Sequence, residues 1–289
     1  CLEFCNCVLD KSTVNTPPTT DLTLDSDEEP VGNPNLDSSQ QWVCYPLYTL
    51  TVGDREDVFS PSGWLTDKVI HSAQLLMLQQ FPHILGLQPP VLQQTLAFQV
   101  HRGEFVQIIC VGDNHWCTLS NIGCGEGEVK VYDSLYRTVS TDTLRIMASL
   151  VFSSASQLVV RMMDVERQSN GSDCGVLAIA FAYDVCRGDD PCTVRFDHKS
   201  IRQHLANCLE KCSLSRFPVA SKRRSSSVRQ KSQTVDLHCS CRLPEERGDK
   251  MAECDKCKTW YHQHCLDIPD NVFDDDSEVP WKCNACAKP

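Results

Sequence analysis

QSNGSDCGVLAIAFAY, residues Gln168–Tyr183, decides how the chain is read. A polar, turn-prone loop ends in Asp173-Cys174-Gly175 and runs directly into the apolar stretch Val176–Tyr183. That change of character predicts a loop feeding a buried helix over Cys174–Cys186, with Cys174 in its first turn. At a helix N-terminus the unsatisfied amides and the dipole favour thiolate over thiol, the form in which cysteine is a nucleophile. Gln168 stands six residues ahead. Its side-chain amide can donate to a developing oxyanion beside the backbone N–H of Cys174.

Working outward, three further fragments complete the chemistry of a thiol protease: GWLTD at Gly63–Asp67, DNHW at Asp113–Trp116 and VYDSL at Val131–Leu135. His115 can pair with the thiolate and later protonate a leaving amine. Asp133 closes a β-rich run eighteen residues after His115. From there it can hold the imidazole in the required tautomer, as the third member of a triad does. Each fragment alone is weak, and a lone His or Cys is ordinarily a packed core residue. Their joint presence raises the odds.

The order His, Asp, Gln, Cys with these flanks resembles the Ulp-type family of SUMO-specific cysteine proteases over about residues 45–212. The resemblance implies an α+β, papain-like fold with permuted catalytic elements. It carries His115, Asp133 and Cys174 over as the triad and Gln168 as the oxyanion donor. It also implies that Trp64 and Trp116 roof a narrow tunnel admitting only a Gly-Gly tail, and that Asp67 lies near the modifier. Thr66 departs from the pattern, since Asn is commoner there.

Seven of the nineteen cysteines fall between Cys239 and Cys286, in a string with metal-ligand spacing. The string is Cys239-x-Cys241, Cys254-x2-Cys257, His262-x2-Cys265 and Cys283-x2-Cys286. Four close pairs supply eight ligands, enough for two tetrahedral Zn²⁺ ions. About fifty residues with little core need metal binding for much of their folding energy. CRLP at Cys241–Pro244, ECDKC at Glu253–Cys257 and WYHQHC at Trp260–Cys265 make the module similar to a PHD finger. That resemblance implies a cross-brace, with Cys239, Cys241, His262 and Cys265 on one zinc and the other four on the second. It also implies a methyl-lysine cage with Trp260 and Met251 as walls. Where related fingers place cage tyrosines, His238 and Glu245 stand here. Reading a methylated histone tail, binding another peptide, and a purely structural role all stay open.

The remaining segments are plainer. Residues 1–40 read as a disordered acidic tail. Within it, TDLTLDSDEE at Thr20–Glu29 looks like a SUMO-interacting motif, with an ordinary acidic tail as the alternative. Residues 41–212 form the protease domain, 213–235 a basic Ser/Arg-rich flexible linker, and 236–289 the finger. The start, CLEFCNC, reads as a fragment, and Cys1, Cys5 and Cys7 as the remnant of a larger zinc module. No apolar run approaches the ~20 residues of a membrane span. The net charge is −11, and residues 213–235 carry the basic cluster, so direct sequence-specific nucleic-acid binding is not expected. The Lys222–Arg224 triplet reads as a nuclear address or as a solvated linker.

Together these readings anticipate a nuclear isopeptidase that cleaves after the Gly-Gly tail of SUMO or a related modifier. Its two zinc ions are structural, catalysis needs no cofactor, and a PHD finger targets it to chromatin. Localisation to both nucleus and cytoplasm also fits. The rivals are a protease specific for ubiquitin or another ubiquitin-like modifier, a non-catalytic modifier- and histone-binding scaffold, and a ligase built on the finger.

Overall fold

The computed structural model describes residues 37–44, 49–100, 102–112, 114–222, 231–274 and 280–288. In chain order the elements begin with β1 (Gln41–Cys44), β2 (Thr49–Thr51), α1 (Val52–Phe59), α2 (Asp67–Gln80) and β3 (Leu85–Gly86). Next come β4 (Phe105–Val111), β5 (His115–Ser120), β6 (Glu128–Tyr132), α3 (Thr141–Leu150), β7 (Gln157–Met162) and α4 (Cys174–Cys186). Then follow β8 (Val194–Phe196), α5 (Ile201–Glu210), β9 (Val219–Lys222) and β10 (Ser232–Asp236). The last are β11 (Met251–Glu253), β12 (Trp260–His262), α6 (Gln263–Leu266) and α7 (Asn284–Ala287). The TDLTLDSDEE stretch, Asp113 and Arg223–Arg224 lie outside the described residues.

A mixed sheet in the order β10-β7-β6-β5-β4-β3 carries helices on both faces, the α+β class expected. Strand alternation builds a core on each side. Trp116 and Tyr132 face α4, whereas Cys117, Leu119, Val129 and Val131 face α3 through Leu144 and Met147. Every residue of α4 is buried, which is why its sequence is apolar on all sides. Thr118 Oγ1 donates to the Ala178 carbonyl at 2.7 Å, pinning α4 to β5. That bond satisfies a buried hydroxyl and sets the start of α4 beside His115.

The flexible linker expected over 213–235 is largely built into the fold. Leu214 and Phe217 are buried in the main core, and Gln80 holds Leu214 through both its backbone groups. Strand β9 pairs with β8, and β10 extends the sheet antiparallel to β7 over Ser232–Asp236. The polar sequence of β10 hides a strand whose partner is remote.

The finger is fastened to this framework. Leu237 and Leu243 pack on the core beneath α3, and Arg242 donates to the Ala155 carbonyl. Arg145 of α3 lies 3.3 Å from both Glu246 and Asp249 and also donates to the Pro244 carbonyl. Among the described residues no helix is long and apolar enough to cross a membrane.

Candidate active site and metal centre

Cys174 opens α4 and His115 opens β5, while Asp133 follows β6 directly. The three are brought together in the buried interior, each nine-tenths or more covered. His115 Nε2 lies 2.8 Å from Asp133 Oδ1, so Nδ1 is left for Cys174, whose Sγ donates to the Asn114 carbonyl at 3.8 Å. Asp133 Oδ1 also accepts the backbone N–H groups of Leu135 and Tyr136, each at 2.7 Å, which fixes the carboxylate. Burial pulls the His115 pKa down. The hydrogen bonds and charges of Asp133 and Cys174 outweigh it and raise the value to about 9. The site therefore stabilises an imidazolium beside the sulfur, the arrangement that activates a cysteine nucleophile.

Gln168 sits on the same side. Ser134 Oγ donates to its Oε1 at 2.6 Å, and its backbone N–H donates to the Ser134 carbonyl. Those bonds fix the oxygen end of the amide against Ser134. One Nε2 hydrogen goes to the Asn170 carbonyl at 2.7 Å, and the amide has a second hydrogen to donate. Ser134, the residue after Asp133, was not singled out from the sequence, because only the folded loop shows that it holds Gln168. Tyr136 was missed likewise. Its ring meets His115 edge-on at 4.9 Å between centroids and stays 47% exposed.

The two tryptophans expected as a roof differ. Trp64 is 48% exposed on the loop before α2. Trp116 is only 6% exposed, its ring in the core, and its Nε1–H donates to the Leu65 carbonyl at 2.9 Å. Trp116 is thus a support under the Trp64 loop, with little face left to meet a ligand. Two glycines seat that loop. A Cβ on Gly63 would stand 2.3 Å from the Asp57 carbonyl oxygen, and one on Gly175 would stand 2.9 Å from Leu65 Cβ. Thr66 fills the N-cap of α2, accepting from Val69, a task that Asn performs equally well. Asp67, the first residue of α2, is exposed.

In the finger, the ligand atoms of Cys239, Cys241, His262 and Cys265 lie within 4.8 Å of one another, as do those of Cys254, Cys257, Cys283 and Cys286. Thiolate and imidazole donors in fours suit tetrahedral Zn²⁺. His262 Nδ1 faces Cys241 at 3.3 Å, and its Nε2 lies 3.4 Å from Asp249. A carboxylate behind a ligand histidine orients the ring and fixes its tautomer. Asp249 is also the carboxylate that Arg145 grips, so the first cluster and the protease domain share a group. Trp260 is 44% exposed on β12. Register sets Glu253 opposite Trp260 and Met251 opposite His262, so Met251 is diagonal to the indole on one face. Glu245 is exposed on the loop whose neighbours Arg145 holds.

This constellation defines a cysteine protease domain joined to a zinc finger. Residues 105–215 match the family model of the Ulp1 protease family, C-terminal catalytic domain, and residues 239–286 match that of the PHD-finger. The central domain belongs to the Ulp1 protease family, and the C-terminal module is a PHD finger.

Among curated proteins, the chain is 42% identical over 52 residues to Protein ECM5 of Saccharomyces cerevisiae, covering 18% of this chain and 4% of that protein. It is 37% identical over 59 residues to Lysine-specific demethylase phf2 of Danio rerio, covering 19% of this chain and 5% of that protein. It thus spans under a tenth of the length of these relatives. Among solved structures, it is similar to the C-terminal Ulp1 protease domain in complex with Smt3, the yeast ortholog of SUMO. The TM-score is 0.47 at 16% identity, over 62% of this chain and 90% of that one. It is also similar to the Ulp1-like SUMO protease catalytic domain of Chaetomium thermophilum, with TM-score 0.44 at 18% identity, over 62% and 85% of the two chains.

Proposed function

We propose that this chain is a thiol isopeptidase and endopeptidase that cleaves after the Gly-Gly tail of SUMO or a related ubiquitin-like modifier. The observation that carries the reading is the buried His115–Asp133 pair at 2.8 Å set against Cys174 at the head of α4. In the reaction, Cys174 Sγ attacks the carbonyl carbon of the terminal glycine, and its proton resides on His115. The oxyanion is met by the Cys174 N–H and by Gln168 Nε2. Collapse breaks the C–N bond, His115 protonates the leaving lysine amine, and a thioester remains. Water, deprotonated by His115, then hydrolyses that thioester and restores the thiol. Trp64 supplies a flat wall for a strand that has no side chains. Asp67 lies beside the approach of the modifier body. The purified chain, given SUMO and ubiquitin conjugates joined by isopeptide bonds, is expected to release SUMO. Release of ubiquitin alone would transfer the assignment to that modifier, and release of neither would end the reading.

The tryptophans give a sharper expectation. Trp64→Ala lowers turnover strongly and leaves the melting temperature nearly unchanged, because half the ring is already in water. Trp116→Ala lowers both, since emptying a buried indole site costs about 3–5 kcal/mol. Thermal melts run beside turnover assays check this. Equal melting losses in the two variants would contradict it.

The finger, on two structural Zn²⁺ ions, serves in this reading as a docking module for a lysine-bearing histone tail, which places the enzyme at chromatin in the nucleus. Trp260 can offer an indole face to a cation, with Met251 diagonal to it. Glu253 brings a carboxylate opposite Trp260, and the PHD resemblance assigns Glu245 to a cage position. A carboxylate accepts an N–H from lysine carrying up to two methyl groups, and trimethyl-lysine has none to give. Titration with un-, mono-, di- and trimethylated peptides is therefore expected to favour the lower states, and Trp260→Ala to erase binding with zinc retained. Tightest binding to the trimethylated peptide would contradict this.

A further inference from the structure

The loop that carries Trp64 is held against the nucleophile turn by three alternating carbonyls. Ser172 Oγ donates to the Pro61 carbonyl at 2.6 Å, Arg202 Nη2 to that of Gly63 at 2.9 Å, and Trp116 Nε1 to that of Leu65 at 2.9 Å. Trp64 projects from the middle of this row, exposed. Arg202 is the centre of the arrangement and is itself 8% exposed. Its Nε donates to Asp173 Oδ1 at 2.8 Å, and Nη2 reaches the Ser172 carbonyl at 2.9 Å as well as Gly63. Nη1 donates to the carbonyls of Asp57 and Val58 at the end of α1. All five N–H donors of the guanidinium are thereby used. One planar group joins the end of α1, the Trp64 loop and the two residues preceding Cys174.

Two local choices run against helix preferences and make sense only through this link. Arg202 is the second residue of α5, where the dipole disfavours a cation. Asp173 is the N-cap of α4, yet its side chain caps nothing. Its carboxylate turns away to Arg202, His198 and Asn170. A buried ion pair is poor evidence of a stabilising role on its own, because desolvation offsets the attraction. What this pair does provide is register between two segments distant in sequence that face one substrate strand.

We infer that Arg202 is a positioning residue that sets the Trp64 wall at a fixed distance from the Cys174 sulfur, so that the Gly-Gly tail is gripped where it is attacked. The inference rests on the protease reading above.

The test uses the full chain and measures two reactions at Cys174 by peptide mass spectrometry. Iodoacetamide senses the sulfur and His115 alone. SUMO or ubiquitin ending in Gly-Gly propargylamide also needs the wall. Arg202→Lys keeps a charge opposite Asp173 but loses the fork that reaches Gly63. Misplacement by about 1 Å costs on the order of 10²-fold, so probe capture is expected to fall by about that much, with alkylation changed by no more than about threefold. A general structural defect would lower both rates together, and that result, or unchanged capture, would overturn the inference. Should Arg202→Lys show no cooperative melt, Ser172→Ala undergoes the same comparison. It is expected to lose about tenfold in capture alone, since water can only partly replace its 2.6 Å bond to the carbonyl of exposed Pro61. Unchanged capture in that variant would overturn the inference. A wild-type chain that no probe labels would bring down the protease reading and this inference with it. A labelled wild type beside an equally labelled Arg202→Lys would bring down only the role of Arg202.

Discussion

Cys174→Ala abolishes turnover while leaving the fold and modifier binding intact. Loss of a nucleophile that works as part of a unit costs on the order of 10⁶ in kcat in comparable triads. The side chain removed is one sulfur, at the first turn of a helix whose other residues are buried independently of it. A stable complex between the variant and the uncleaved modifier is therefore expected in a pull-down, together with an unchanged melting temperature. Residual cleavage within tenfold of wild type would place the nucleophile elsewhere.

Asp133→Ala produces the second large effect and adds a signature in pH. In the wild type, burial lowers the His115 pKa, and the bonds and charges of Asp133 and Cys174 raise it to about 9. The active pair needs the imidazolium, so activity is present below that value and is lost as pH rises through it. Removing Asp133 deletes a raising contribution and leaves the lowering effect of burial, so the alkaline limb moves to lower pH. At neutral pH the rate falls by up to about 10⁴-fold, the loss seen when the carboxylate that orients a triad histidine is neutralised. A kcat/KM profile against pH checks both the size and the direction. An alkaline limb that stays in place would mean that Asp133 does not govern His115.

The sequence shows these parts unevenly, for physical reasons. Helices α2, α4 and α5 and strands β4 to β7 announce themselves through apolar periodicity or an unbroken apolar run. The spacing of the eight finger ligands anticipates both clusters. By contrast, VGDREDVF has little apolar content, and α1 depends on a capping box between Thr51 and Asp54. SQTVD becomes β10 only because β7 offers an edge. Arg202 is invisible in the same way, since a lone arginine near the start of a helix reads as a solvated surface residue. Its meaning comes from Gly63 and Asp173, which lie 139 and 29 residues away in the chain. The burial of Trp116 was equally out of reach, because the tunnel resemblance gives both tryptophans one role while packing separates them.

Electrophile capture tests the central claim most directly. The intact chain is incubated separately with SUMO, ubiquitin and a further ubiquitin-like modifier, each ending in Gly-Gly propargylamide, and the adduct is mapped by mass spectrometry. The expected result is a single covalent adduct on Cys174 with the SUMO probe, absent in His115→Ala and in Cys174→Ser. An adduct on any other cysteine, or none with any of the three probes, would contradict the claim that this chain is a modifier-specific cysteine protease.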